Sequence, residues 1–151
     1  MDIDTRLTIG LIVFDRNRNR YLILRRNPQR YRGWGLIKGG INEGETAQKA
    51  CLRETLEEIG IVLSENLLRN LNYTSAYYDN TKQKVVLVYW FLIELSEVGI
   101  LTLEQEEWVD HRWASYDEAQ YELVWQSQQR ALRIAQAILS ADECPEDEVE
   151  D

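Results

Sequence analysis

Two apolar runs open the chain. Residues 7–14 and 21–24 are rich in β-branched and aliphatic side chains, and the segment between them reads Asp-Arg-Asn-Arg-Asn-Arg, whose asparagines tolerate turn backbone. This pattern predicts two antiparallel strands. Residues 25–32 are polar and include Pro28, which predicts a loop into the short segment 33–37. The dense glycine of Lys38-Gly39-Gly40 then predicts a sharp backbone bend. From 46 onward the period changes: Ala47, Ala50, Cys51, Leu52, Leu56 and Ile59 recur at helical spacing, with Thr46 placed to cap the start and Gly60 to stop the end. Strand patterns return at 71–78 and 84–95 around the turn-forming 79–83, and a shorter one lies at 108–113. Residues 116–139 read as mostly helical with a break near Trp125. Trp34, Trp90, Trp113 and Trp125 are assigned to the core, and no internal repeat is found.

Composition narrows this to one domain. A chain of 151 residues with 44% hydrophobic content is long enough for a single core and short for two. The expected domain spans 1–140, and the acidic 141–151, with almost nothing apolar to bury, is expected to be a disordered tail. No run approaches the eighteen or so apolar residues of a membrane helix, and the opening lacks a secretory pattern, so a cytoplasmic protein without a membrane partner is expected. The two cysteines, Cys51 and Cys144, have no partners at metal-site spacing. A net charge of −9 argues against holding nucleic acid by bulk electrostatics, so no stable nucleic-acid complex is expected. Oligomeric state stays open.

The chemistry concentrates in the predicted helix. Glu54, Glu57 and Glu58 stand at i, i+3 and i+4 and so share one face. Like charges at that spacing cost a helix a few tenths of a kcal/mol per pair. Solvation of an exposed face would answer this; so would a hard divalent cation, which prefers oxygen ligands and binds a few carboxylates together with substrate phosphates. Glu45 and Arg53 can pair to tie loop to helix, and the helix N-terminus offers a positive dipole end to a phosphate chain.

The context of the glutamates decides between these. Gly39 precedes Glu45 by six residues, Glu45 precedes Arg53 by eight, and Gly60-Ile61 follows the paired glutamates. This segment resembles the Nudix box, G-x5-E-x7-R-E-U-x-E-E-x-G-U, with every charged and glycine position met and one departure, Thr55 in place of a bulky aliphatic residue. The resemblance implies a divalent-metal site, with Mg²⁺ expected and Mn²⁺ as a substitute, held by Glu54, Glu57, Glu58 and the carbonyl of Gly39. It implies that Arg53 orients the catalytic glutamates with Glu45 supporting it. Water is the implied nucleophile, and the general base is Glu54 or Glu58, which the sequence does not separate.

Beyond the box, Trp34-Gly-Leu-Ile-Lys38-Gly-Gly-Ile-Asn-Glu43-Gly-Glu45 resembles the W-G-x-P-K-G-x-x-E-x-G-E segment of the family's asymmetric dinucleoside tetraphosphate hydrolases, with Ile37 replacing proline. Lys38, charged and beside the metal loop, is expected to hold a phosphate or to act in catalysis by offsetting leaving-group charge. Glu107-Trp-Val-Asp-His-Arg112-Trp113 resembles their E-H-x-x-Y-R-W segment, which makes Glu107 the implied last metal ligand, with Glu106 and Glu104 as alternatives. It departs in having Trp108 for histidine and His111, the single histidine, for tyrosine; His111 is expected to be structural. Tyr77 and Tyr78 fall where these hydrolases carry a base-stacking tyrosine, and strand alternation predicts that one of the two faces the cleft. Arg25, Arg26, Lys82 and Lys84 are further candidate phosphate contacts. The implied fold is an α/β/α sandwich with a mixed, curved sheet. The implied activity is asymmetric cleavage of diadenosine tetraphosphate to ATP and AMP, a small-molecule nucleoside polyphosphate substrate. Removal of diphosphate from an RNA 5′ end, or hydrolysis of another nucleoside-diphosphate-linked substrate, is the alternative, and a non-catalytic nucleotide sensor a third reading.

Overall fold

The computed structural model describes residues 4–29 and 32–143. Its centre is a pair of long strands, β1 (Thr5–Asp15) and β6 (Lys84–Leu95), which run parallel in unbroken register from Thr5↔Val85 to Asp15↔Leu95. Nearly all of β1 from Thr8 onward is buried, as expected for a strand covered on both faces, which explains its continuous apolar run. β5 (Leu68–Asp79) extends the sheet beyond β6 as an antiparallel neighbour. On its other side β1 serves two partners. Its end pairs with β2 (Arg20–Arg26) through Phe14↔Tyr21, while its middle pairs with β4 (Ile37–Gly40) through Thr8↔Gly40 to Leu11↔Ile37. β2 continues outward to β3 (Trp34–Gly35) and β7 (Trp108–Ala114). The sheet is therefore mixed, and it forks where β2 and β4 part from β1.

Helices cover both faces. α1 (Ala47–Ile59) buries Ala50, Cys51 and Ile59 against Ile9, Leu11, Ile37, Phe91 and Ile93. α2 (Tyr116–Glu122) and α3 (Gln126–Glu143) close the opposite core, where Ala131, Leu132 and Ala135 meet Ile12, Val88, Trp90 and Leu92. This is the expected α/β/α arrangement. α1 begins where its cap predicts: the Thr46 side chain accepts from the Lys49 amide, a bond that contributes about 1 kcal/mol. It ends at Gly60, whose φ of 74° is the left-handed geometry that glycine adopts without cost. Thr55, the departure from the box, is fully buried, and its hydroxyl donates to the Cys51 carbonyl at 2.7 Å. The extra polar atom is thus satisfied inside the helix.

Three expectations change. Gly39 and Gly40 do not bend the chain; both lie in β4, and neither has positive φ. Their smallness makes room for the Glu54 and Arg6 side chains packed against them. Arg25 and Arg26 belong to β2 rather than to a loop, with a bulge between them in the pairing with β7. Trp125 stands 53% exposed in the break between α2 and α3 and is no part of the core, whereas Trp108, noted in the sequence only as a replacement for histidine, is 1% exposed. The helix break itself falls where expected. Of the predicted acidic tail, residues 141–143 continue α3, and 144–151 lie outside the described residues.

Candidate active site

Arg53 organises the carboxylates. Its Nε and Nη2 donate to the two oxygens of Glu45 at 2.9 Å each, and Nη2 also donates to the Gly40 carbonyl at 2.7 Å. Nη1 reaches Glu54 at 2.8 Å and Glu57 at 3.3 Å. A planar fork with five donors can serve the loop, the strand and the helix at once, which a lysine cannot. The pair with Arg53, aided by the Asn42 amide, holds the Glu45 carboxyl down at about 2. A carboxyl depressed in the folded state stabilises the fold fully above the ordinary range near 4.5 and loses that contribution as pH falls toward 2. Glu45→Gln is therefore expected to unfold at lower urea than wild type at neutral pH. The gap should close as pH falls through that window, and a gap independent of pH would contradict this account.

Glu58 lies deeper, at 3% exposure. Its Oε1 accepts from the Trp108 indole N–H at 2.6 Å, and its Oε2 is buried without a partner. Burial, followed by the nearby Glu54 carboxylate, pushes the Glu58 carboxyl well above its usual range, against the opposing pull of Trp108. Glu54 fills the space beside Gly39, where an added Cβ would stand 2.0 Å from the Glu54 Cδ. That is why position 39 must be glycine. Gly40 is glycine for a parallel reason on the other side of the strand, where the Arg6 guanidinium comes within 2.5 Å of an added Cβ.

These features fit a hard divalent cation. The donors are all oxygens, one of them a buried carboxylate oxygen that accepts no hydrogen bond, and the missing side chain of Gly39 lets the Glu54 carboxylate close against β4. Among the described residues no three acidic, His or Cys side chains form a ready-made metal cage. Arg53 instead ties up Glu54 and Glu57 as ion pairs.

The segment after α1 approaches the same cluster. The Glu104 amide donates to the Glu58 carbonyl at 2.9 Å, and the Glu107 amide to the Glu104 carbonyl at 3.0 Å. Partial burial, then the charges of Glu107, Glu57, Glu106 and Glu54, raise the Glu104 carboxyl. Glu107 faces both ways: it pairs with Arg26 at 3.5 Å, and its charge is felt by Glu58 and by Lys38.

A cationic group lies across β4. Side chains alternate along a strand, so Lys38 points away from the side on which Gly39 meets Glu54. Its Nζ donates to the Tyr77 hydroxyl at 3.1 Å and sits 4.6 Å from the centre of that ring. Burial, then Arg26 and Arg6, lower the Lys38 ammonium to about 8, with Asp79 and Glu107 opposing. Arg6 and Lys82 also act on Tyr77, whose hydroxyl is raised by burial and Asp79. Arg6 was missed by sequence reading; it lies in β1 opposite Val86, and that pairing between distant segments has no signal in the sequence.

Of the remaining candidates, Arg26 reaches this group while Arg25 is exposed on β2, and Tyr77 faces Lys38 while the neighbouring Tyr78 is 54% exposed. Lys84 is registered opposite Asp79 at the start of β6, and His111 is exposed on β7 opposite Leu24.

Comparison with known proteins agrees with this architecture. The family model described as the NUDIX domain matches residues 4–134. An RNA pyrophosphohydrolase of Wolbachia pipientis is 25% identical over 124 residues, covering 73% of this chain and 74% of that protein. The rat bis(5′-nucleosyl)-tetraphosphatase (asymmetrical) is 32% identical over 91 residues, 57% of this chain and 58% of that one. Among solved structures, a binary complex of the C. elegans Ap4A hydrolase superposes with a TM-score of 0.75 at 22% identity, covering 90% of this chain and 98% of that chain.

Proposed function

The chain belongs to the Nudix family of hydrolases, and from that premise we propose that it hydrolyses a diphosphate linkage in a nucleoside polyphosphate, cutting diadenosine tetraphosphate asymmetrically into ATP and AMP with Mg²⁺ bound. The observation that carries this reading is the opposition across β4 of a carboxylate cluster gathered by Arg53 and a cationic group built on Lys38 and Tyr77. A polyphosphate needs both: cations for its non-reacting phosphates and a metal-binding carboxylate set at the bond to be cut.

Glu54, Glu57 and Glu58, with the Gly39 carbonyl, are the groups we assign to the metal. Glu107 or Glu104 would add to the set; the Glu104 backbone is tied to the Glu58 carbonyl, and Glu107 is shared with Arg26. When bound, Mg²⁺ would offset phosphate charge and raise the acidity of a water. Glu58 and Glu54 remain the candidates to take the proton of the attacking water. Lys38, Arg26 and Arg6 would hold the phosphate chain and stabilise the departing charge. Tyr77 has one face engaged by Lys38, which leaves its exposed side for an adenine, a contact worth about 1–3 kcal/mol.

Similarity to RNA pyrophosphohydrolases supports a second reading, removal of diphosphate from a 5′-triphosphorylated RNA. The net charge of −9 favours the small substrate. We further propose that the protein works in the cytoplasm; among the described residues no helix is long and apolar enough to cross a membrane. Purified protein with Mg²⁺ should be offered diadenosine tetraphosphate, nucleoside triphosphates, nucleotide sugars and 5′-triphosphorylated RNA, and the products separated by chromatography. ATP plus AMP from the first substrate is the expected result, with Tyr77→Leu raising KM by about tenfold for loss of a stacked base. Turnover of RNA with diadenosine tetraphosphate left intact would overturn the substrate assignment.

A further inference from the structure

The residue that fixes the most buried carboxylate of the cluster is not an acid, a base or a member of the box. Trp108 opens β7, is 1% exposed, and directs its indole N–H at Glu58 Oε1 over 2.6 Å. The other oxygen, Oε2, is buried and has no partner. A carboxylate with free rotation would present either oxygen in several orientations. Here one oxygen is claimed by a rigid donor, and the other accepts no hydrogen bond and is left, with the Glu54 carboxyl close by, for whatever else binds. The indole is itself held in place: the Arg26 guanidinium lies 4.7 Å from its ring centre, and its far edge lies 3.6 Å from where a Cβ on Gly35 would stand. Arg26 in turn pairs with Glu107.

We infer that Trp108 is the positioning residue of the metal site: its N–H locks Glu58 so that Oε2 alone is presented to a divalent cation, and its ring seats Arg26 beside the phosphate-binding group. The inference rests on the assignment of Glu58 to the metal made above. Supporting groups that orient a metal ligand are worth roughly 10- to 100-fold in affinity or activity.

Trp108→Phe keeps a buried ring under Arg26 and removes only the donor. In the substrate-free protein it is expected to weaken Mn²⁺ binding, read from the paramagnetic resonance of free Mn²⁺, by roughly 10- to 100-fold. In turnover it should lower kcat more than it changes KM. Trp108→His, which returns a ring N–H, should recover part of both. Trp90→Phe is the structural control. It also loses a buried indole hydrogen bond, to Ser75 Oγ at 2.9 Å, but in the opposite core, so it should lose thermal stability and keep its Mn²⁺ affinity. A folded Trp108→Phe with wild-type Mn²⁺ affinity and kcat overturns the inference.

If Trp108→Phe does not fold, the wild-type protein still answers. The chain has five tryptophans, and ¹⁵N-labelling of their indoles gives signals that phenylalanine replacement of the other four assigns one by one. The Trp108 N–H signal should move on titration with Mg²⁺; a signal that stays put while other resonances of the site shift overturns the inference. Glu58→Gln separates the two levels. Full activity in that variant removes the metal-site assignment itself, whereas a dead Glu58→Gln beside a normal Trp108→Phe removes only the role of the indole.

Discussion

Glu58→Gln should lower the rate of hydrolysis by about 10²- to 10⁴-fold, the range for loss of a positioned general base, while the metal-free protein becomes no less stable and melts at the same or a higher temperature. The two halves of this result have one cause. Glu58 is 3% exposed, stands close to the Glu54 carboxylate, and has an oxygen without a partner. A carboxylate in such surroundings is costly to keep charged, because burial removes its hydration and a like charge adds to the penalty. The amide keeps the shape, still accepts from Trp108 on its oxygen, and has an N–H₂ that can donate toward Glu54. Removing the charge thus relieves the fold and abolishes the chemistry, the usual trade at a site built for a ligand. Added Mg²⁺ should raise the melting temperature of wild type, since a ligand of the folded state alone stabilises it, and should raise that of Glu58→Gln less. Calorimetry with and without Mg²⁺, alongside initial rates, makes the comparison. A variant that keeps wild-type rates, or that melts several degrees lower without metal, would contradict the assignment.

The carboxylate half of the site was legible in the sequence because it is local. The glutamates lie on one helix whose start and stop are written as Thr46 and Gly60, and the spacing from Gly39 to Arg53 survives as hydrogen bonds from Arg53 to Glu45 and to the Gly40 carbonyl. The rest depends on contacts between residues far apart in the chain. Trp108 meets Glu58 across 50 positions, and a buried tryptophan on a strand carries no sign of what its N–H will find. Arg25 and Arg26 were indistinguishable as adjacent basic residues; the bulge between them and the pairing with β7 decide which one lies over Trp108. Trp125, expected in the core with the other tryptophans, falls between two helices where no face is defined. The fold classes of the long runs at β1 and β6 were readable from composition. Their parallel pairing, and the fork at β4 that separates anion-binding from cation-binding side chains, were not.

Glycine density at positions 39 and 40 was read correctly as a constraint but for the wrong reason, and the right reason sets the second large effect. Gly39→Ala should reduce kcat/KM by roughly 10²-fold or more and cost about 1–3 kcal/mol of stability, as overpacking of a filled site does. The new methyl would stand 2.0 Å from Glu54 Cδ and 2.3 and 2.4 Å from its two oxygens. Two routes relieve the clash, and both damage the site. Moving Glu54 breaks its 2.8 Å contact with Arg53, which is itself pinned by Glu45 and the Gly40 carbonyl; moving β4 disturbs the Ile9↔Gly39 register with the central strand. Gly40→Ala offers the contrast, because its methyl meets the end of the long Arg6 side chain, which can swing aside, so it should fall less in activity than Gly39→Ala. Gly99→Ala has nothing within 4 Å of the added carbon and should match wild type. Steady-state kinetics and urea unfolding of the three variants give the order, and a Gly39→Ala enzyme as active as Gly99→Ala would mean that the reaction does not depend on where Gly39 lets Glu54 sit.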